Sequence, residues 1–305
     1  MPVAAPAVEI GLKRVMVTTD FSPCSDKALH YALARAHNYG ATLYMTHVVS
    51  SLGYVLAGEE VGIAAEIAAN RDMQQLENGL VKTGALKGLP FRTVVRRGEV
   101  WPQLERLIEE EKIDLLVAGT HGRTGVRCAL LGSVAENIFR HARCPVITLG
   151  PCVPAGSSSL ADAKLKSILF ATDFGHASLQ ALPYALSLAH HNRARLWLLH
   201  VLPPVPLRAP GPLWYEGSAI DKMRPAAEAT AMERLHGLIS QAGEFEYGVQ
   251  FGDPVEEILK TAVLCAADMI VMGVKKASSA SAHLPWAIAH QIVSQAECPV
   301  LTVRG

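Results

Sequence analysis

The sequence predicts an α/β protein made of two tandem doubly wound parallel-sheet domains. Each has five strands in the order 3-2-1-4-5, with the fifth strand of each at the contact between them. Three observations predict the fold class and its duplication; the fifth-strand contact rests on edge composition and on a resemblance given below. Apolar runs of strand length alternate with amphipathic runs of helix length, the pattern of a mostly parallel sheet. The chain then repeats itself: Lys13–Val48 aligns without a gap on Lys166–Val201, and sixteen of the 36 positions are identical, where chance gives about two. Finally, 305 residues is about twice an ordinary domain.

The repeat places the boundaries. Thr19-Asp20-Phe21 recurs as Thr172-Asp173-Phe174, Tyr31-Ala32-Leu33 as Tyr184-Ala185-Leu186, and His47-Val48 as His200-Val201. Near the far end Asp114 matches Asp268, Gly119 matches Gly273, and Cys144-Pro145-Val146 matches Cys298-Pro299-Val300. The first domain is therefore residues 1–150 and the second 164–305, joined by a linker, 151–163, rich in Pro, Gly, Ser and Ala.

The first copy reads as follows. Arg14–Thr18 is a strand. Ser22 caps the next helix and Pro23 takes its first position, where a missing N–H costs nothing. That helix runs to about Asn38, with Ala28, Leu29, Ala32, Leu33 and Ala36 on one face, and Gly40 ends it. Thr42–Val48 is the second strand, 59–81 a long helix, Phe91–Arg96 the third strand and Trp101–Glu111 a helix. Ile113–Ala118 is a buried strand, Ser133–Arg143 a helix and Val146–Leu149 a short closing strand. The second copy follows the same plan but carries a Pro-rich insert, Pro203–Pro212.

Bulk properties exclude several classes. Acidic and basic residues balance at 28 each, so no overall field draws the protein to nucleic acid or to an anionic membrane. No run approaches the ~18 apolar residues of a membrane span, and the N-terminus lacks the charged and apolar regions of a signal peptide. Six scattered cysteines form no Cys-x-x-Cys pair, which points to reduced thiols and a cytoplasmic location. His30, His37, His190 and His191 lie on the first helix of each copy without a second ligand at tight spacing, so they read as solvated histidines and not as a metal site.

The chemistry concentrates after the fourth strand, in Gly119-Thr120-His121-Gly122-Arg123-Thr124-Gly125 running on to Gly132-Ser133. Glycines let backbone approach a bulky ligand, and a helix beginning at Ser133 aims unpaired N–H groups and a positive dipole end at the loop. Together these make a phosphate cradle. In an open doubly wound sheet the ligand crevice lies beyond the strand ends where the strand order reverses. Asp20 follows the first strand, so its carboxylate should flank the crevice beside Gly119. There it suits ribose hydroxyls, adenine or a phosphate-bound Mg²⁺. Val48, ending the second strand, suits the face of an adenine ring or the core of the domain.

These residues resemble the universal stress protein family: the glycine pattern, the strand-end Asp20, the His47-Val48 strand and the closing Cys-Pro-Val strand. The resemblance covers both copies and so implies a tandem member. It implies ATP as the ligand. It places Asp20 and Val48 on the adenosine side and gives ribose and phosphate to Gly119, Gly122, Gly132, Ser133 and the backbone of Val134. His121 and Arg123, inside the loop, would either meet phosphate or stand as solvated loop residues. The second copy departs from the pattern: Lys276 stands for Gly122, Trp286 for Gly132 and Ala287 for Ser133.

The expected function is thus an ATP-binding regulatory protein of stress response, with one nucleotide per chain. Slow ATP hydrolysis and a nucleotide-free interaction module are the alternatives. No P-loop Lys-Ser/Thr follows the glycines, which argues against fast turnover. Members of the resembled family dimerise through the fifth strand. Val146–Leu149 and Val300–Val303 contain neither lysine nor proline, so these edges are expected to pair within the chain. That would make an intrachain pseudo-dimer, with association of whole chains left open.

Overall fold

The structure, a computed structural model, describes residues 10–51, 58–120, 132–154, 164–204, 213–239, 245–275 and 284–305. In the first half, strands β1 (Arg14–Thr18), β2 (Thr42–Ser50), β3 (Phe91–Gly98), β4 (Leu115–Gly119) and β5 (Val146–Leu149) alternate with helices. These are α1 (Pro23–Tyr39), α2 (Glu59–Lys82), α3 (Val100–Glu110) and α4 (Ser133–His141). The second half repeats the plan with β6 (Ser167–Ala171), β7 (Arg195–Leu202), β8 (Glu246–Phe251), β9 (Met269–Val274) and β10 (Val300–Arg304). Its helices are α5 (His176–Asn192), α6 (Leu213–Ile239), α7 (Pro254–Leu264) and α8 (Leu284–Gln295).

All ten strands form one sheet in the order β3-β2-β1-β4-β5-β10-β9-β6-β7-β8. Each half thus has the order 3-2-1-4-5, and the two closing strands meet at the centre. There β5 and β10 run antiparallel, with Ile147 opposite Leu301 and Thr148 opposite Val300. The neighbouring pairs β4–β5 and β9–β10 are parallel. No edge is left at the closing strands, which is how the fold disposes of the hazard their composition poses.

Local signals account for the elements. Ser22 caps α1 in a capping box with Ser25, Pro23 opens it, and Gly40 closes it in the left-handed conformation at φ 62°. β4 begins two residues later than the apolar run suggests. Asp114 is drawn out of it because its Oδ2 accepts from the N–H groups of Lys13 and Arg14 at 2.9 and 2.8 Å. Asp268 does the same for Lys166 and Ser167. One apolar cluster runs unbroken through both halves on the α1/α5 face, from Val15 and Val117 through Ile147 and Leu301 to Phe170 and Val271. On the other face α4 sends Ala135 and Phe139 into the second half's cluster, with Ala289, Ile292 and Val293.

Candidate functional site

The strand order reverses at β1, which pairs with β2 on one side and β4 on the other. The helices that follow β1 and β4 leave the sheet on opposite faces, and a cleft of ≈ 280 Å³ opens between the strand ends. It gathers Asp20, Val48, Gly119, Gly132, Ser133 and Val134, all expected from the sequence. His121, Gly122 and Arg123 lie outside the described residues, as does Cys128.

Asp20 is set by a turn that both halves build. Phe21 takes a left-handed φ of 61° and Phe174 one of 56°, and each Phe packs on a histidine, His47 or His200, with ring centres 4.7 and 4.5 Å apart. His47 Nδ1 bonds the carbonyl of Thr19 at 2.7 Å, fixing the strand end. Asp20 Oδ1 accepts from the N–H of Ser22 at 3.1 Å. Partial burial pushes its carboxyl up, but hydrogen bonds from Ser22 and Ser25 outweigh this and hold it below the usual carboxylate range. At neutral pH it is an ionised acceptor at the mouth of the cleft.

Gly119 has a packing reason as well as a ligand reason. A Cβ there would lie 3.0 Å from the carbonyl oxygen of Cys24, in the first turn of α1. Gly273 is tighter, since a Cβ would run into the backbone of Ala177 and Ser178. Each glycine, at or next to the end of its strand, therefore admits the first turn of α1 or α5, whatever binds nearby.

Gly132 is the N-cap of α4. It is extended, and among the described residues no side chain caps the helix. Its N–H donates to the carbonyl of Thr120 at 2.8 Å, and Thr120 is tied by its own N–H to the carbonyl of Leu149 at 3.1 Å. The start of α4 is thus anchored to the ends of β4 and β5. Among the described residues its first-turn N–H groups face the cleft unpaired, with the positive end of the helix dipole behind them.

The second half lacks this arrangement. Asp173, the counterpart of Asp20, accepts from Ser178 Oγ and from the N–H of Gly175 at 2.8 Å. Its other oxygen lies 3.3 Å from Lys275 Nζ. Burial pushes this carboxyl up, and Ser178, Gly175 and Lys275 together hold it lower. Lys275 is the partner that Asp173 has in addition to its serine and backbone donors. Lys276 and His283 lie outside the described residues. Trp286 and Ala287 fall within α8.

Several cleft residues carry no motif. Thr18 and Thr46, partners in the β1–β2 register, line the floor, and Val100 and Leu104 line a wall. The repeat itself holds the signal for the two threonines, because the same positions of the second copy are Ala171 and Leu199. The helix histidines are spent on structure: His30 bonds the carbonyl of Asp26, His37 that of Ala85, and His191 stacks on Tyr39. Among the described residues no group of three or more His, Cys, Asp or Glu side chains is placed to hold a metal. No helix among them is long and apolar enough to cross a membrane.

Comparison with known proteins agrees with the repeat. A sequence model of the universal stress protein family matches residues 11–149 and again 164–304. A universal stress protein of Methanocaldococcus jannaschii is 30% identical over 139 residues, 45% of this chain and 81% of the relative. One from Thermus aquaticus is 31% identical over 145 residues, 46% of this chain and 98% of the relative. Among solved structures, a universal stress protein from Archaeoglobus fulgidus superposes with a TM-score of 0.66 at 20% identity, covering 95% of this chain and 98% of that one. A putative universal stress protein from Pseudomonas aeruginosa gives 0.62 at 16% identity, covering 97% and 94%.

Proposed function

This chain belongs to the universal stress protein family, and we propose that it is an ATP-binding regulatory protein of the stress response, holding one nucleotide in its first half. One observation carries the reading. Around an open cleft the first half gathers an ionised carboxylate at Asp20 and the N-terminus of α4, which no side chain among the described residues caps. Serines bond the carboxylate in both halves, but in the second Lys275 also pairs with it.

The parts of a nucleotide find matching chemistry. Val48, Val100 and Leu104 offer apolar walls to a base, and Asp20 accepts from ribose hydroxyls. The N–H groups at Gly132, Ser133 and Val134 offer donors and dipole to phosphates. In this reading Gly122, His121 and Arg123, outside the described residues, contribute contacts to phosphate, and Mg²⁺ enters as the companion of the triphosphate. The role is binding and regulation. No lysine and general base are paired among the cleft residues, so hydrolysis should run well below the ~10 s⁻¹ of an ordinary enzyme.

Calorimetric titration of the full chain with ATP and Mg²⁺ tests this directly. The expected stoichiometry is near one, and Gly132→Trp, which copies the second half's Trp286, should abolish binding with an unchanged circular dichroism spectrum. A stoichiometry near two, or unaltered affinity in Gly132→Trp, would overturn the assignment.

A further inference from the structure

We propose that Thr46 is a specificity contact of the cleft, its hydroxyl hydrogen-bonding the polar edge of the bound base. This rests on the nucleotide reading and adds a residue that no glycine motif includes. Three observations converge on it. Thr46 lines the cleft floor. Its side chain is wholly buried, at 0% exposure, and its Oγ1 has no hydrogen-bond partner in the structure. The fold does not require the hydroxyl, because the same position of the second half is Leu199, also buried.

A buried hydroxyl without a partner costs the protein its desolvation, so a fold that accepts leucine at this position gains nothing from threonine while the cleft is empty. A ligand restores the balance. In the proposed complex a turn about the one side-chain torsion brings the hydroxyl to face the bound base. The walls beside it, Val48, Val100 and Leu104, are apolar, and a flat heteroaromatic base has apolar faces and a polar rim. A hydroxyl can both donate and accept, so it serves a ring nitrogen or an exocyclic amine.

The row of side chains across the sheet supports the same reading. In the first half the register sets Thr46 beside Thr18, and Thr18 one strand away from Ala118. In the second half Leu199, Ala171 and Met272 occupy that row. The first half has a small, hydroxyl-bearing floor, whereas the second has one filled by Leu199 and Met272, both buried. The two halves thus differ at the row of side chains that would lie beneath a base.

The test is Thr46→Val, which keeps the shape, beside Thr46→Ser, which keeps the hydroxyl. The full chain is titrated with ATP and, separately, with inorganic tripolyphosphate, and the ligand-free proteins are melted. Thr46→Val should weaken ATP about tenfold, the worth of roughly one net hydrogen bond. Tripolyphosphate binding should not change, and Thr46→Ser should bind ATP like the wild type. The ligand-free Thr46→Val protein should melt at or above the wild-type temperature, because it loses only an unsatisfied group. A residue that merely supports the fold would lower melting temperature and affinity together, and that result would overturn the proposal. So would unchanged ATP affinity in Thr46→Val, or an equal loss for tripolyphosphate. Wild-type protein that ignores ATP altogether would instead reject the nucleotide reading, a different outcome from any of these.

Discussion

Asp20 and Asp173 occupy one position of one repeat, yet their neighbours set them different tasks. Both are held below the usual carboxylate range, but Asp173 has the extra help of Lys275 at 3.3 Å. Its folded pKa is depressed. Its contribution to stability is therefore present at neutral pH and is lost as the pH falls through the folded pKa. Lys275→Met should move the Asp173 pKa upward, toward the ~3.9 of a free aspartate, and leave Asp20 where it is. Carboxyl chemical shifts followed through an acid titration read both groups at once. The stability change at neutral pH should stay below about 1 kcal/mol, because each partner is about half exposed, and it should vanish once Asp173 is protonated in both proteins. An Asp173 that titrates identically with and without Lys275 would mean that the pair does not form in solution. The sequence shows the aspartate twice but not this difference, since Lys275 reaches Asp173 only once β9 has been laid beside β6.

At the scale of elements, each strand-end glycine is the hinge of the design. Gly119 ends β4 against the first turn of α1, and Gly273, in β9, sits against that of α5, and the second contact is the closer. The obstructing atoms are backbone, so a methyl group cannot be accommodated by turning a side chain. Gly273→Ala should therefore lower the melting temperature more than Gly119→Ala, and it should do so with no ligand present. Equal or negligible losses in the two variants would show that the helices stand further off. Much of this layer was legible beforehand. Ser22, Pro23 and Gly40 announce the ends of α1 through local backbone chemistry, and the glycines announce the cleft. What stayed hidden depends on distant register. Asp114 leaves its apolar run to bond the start of β1. Gly119 answers to a helix nearly a hundred residues earlier, and Thr46 reaches the cleft floor through a strand that carries no motif. The same reasoning explains why Val48 was ambiguous: a valine at a strand end looks alike whether it meets a base or the core.

At the scale of the molecule, the two halves share more than a linker. Ile147 lies opposite Leu301 across β5 and β10, and one apolar cluster crosses that seam. Asn38 donates to Asn192 at 2.9 Å, and Arg304 donates to the carbonyl of Phe139 at 2.8 Å. Gly150 meets the carbonyl of Val293 so closely that no side chain would fit. The helix whose N-terminus faces the cleft, α4, buries Ala135 and Phe139 against α8 of the other half. Separating the halves would expose this apolar surface and the open edges of both closing strands. The halves should therefore unfold as one cooperative unit, although only the first is proposed to hold nucleotide. A ligand present at a hundred times its dissociation constant adds about 2.7 kcal/mol to whatever unit it belongs to, which is roughly 5 °C for a chain of this size. Scanning calorimetry should show a single transition that moves as a whole with ATP. Leu301→Ala, which removes core from the seam, should lower that same transition by about 3 kcal/mol without splitting it. Two transitions of which ATP moves only one would mean that the halves are independent domains whose strands touch without supporting each other. A single shifted transition would mean that nucleotide in the first cleft is felt at the far end of the sheet, and that the second half, with its Asp173 paired to Lys275, is stabilised by a ligand it does not bind.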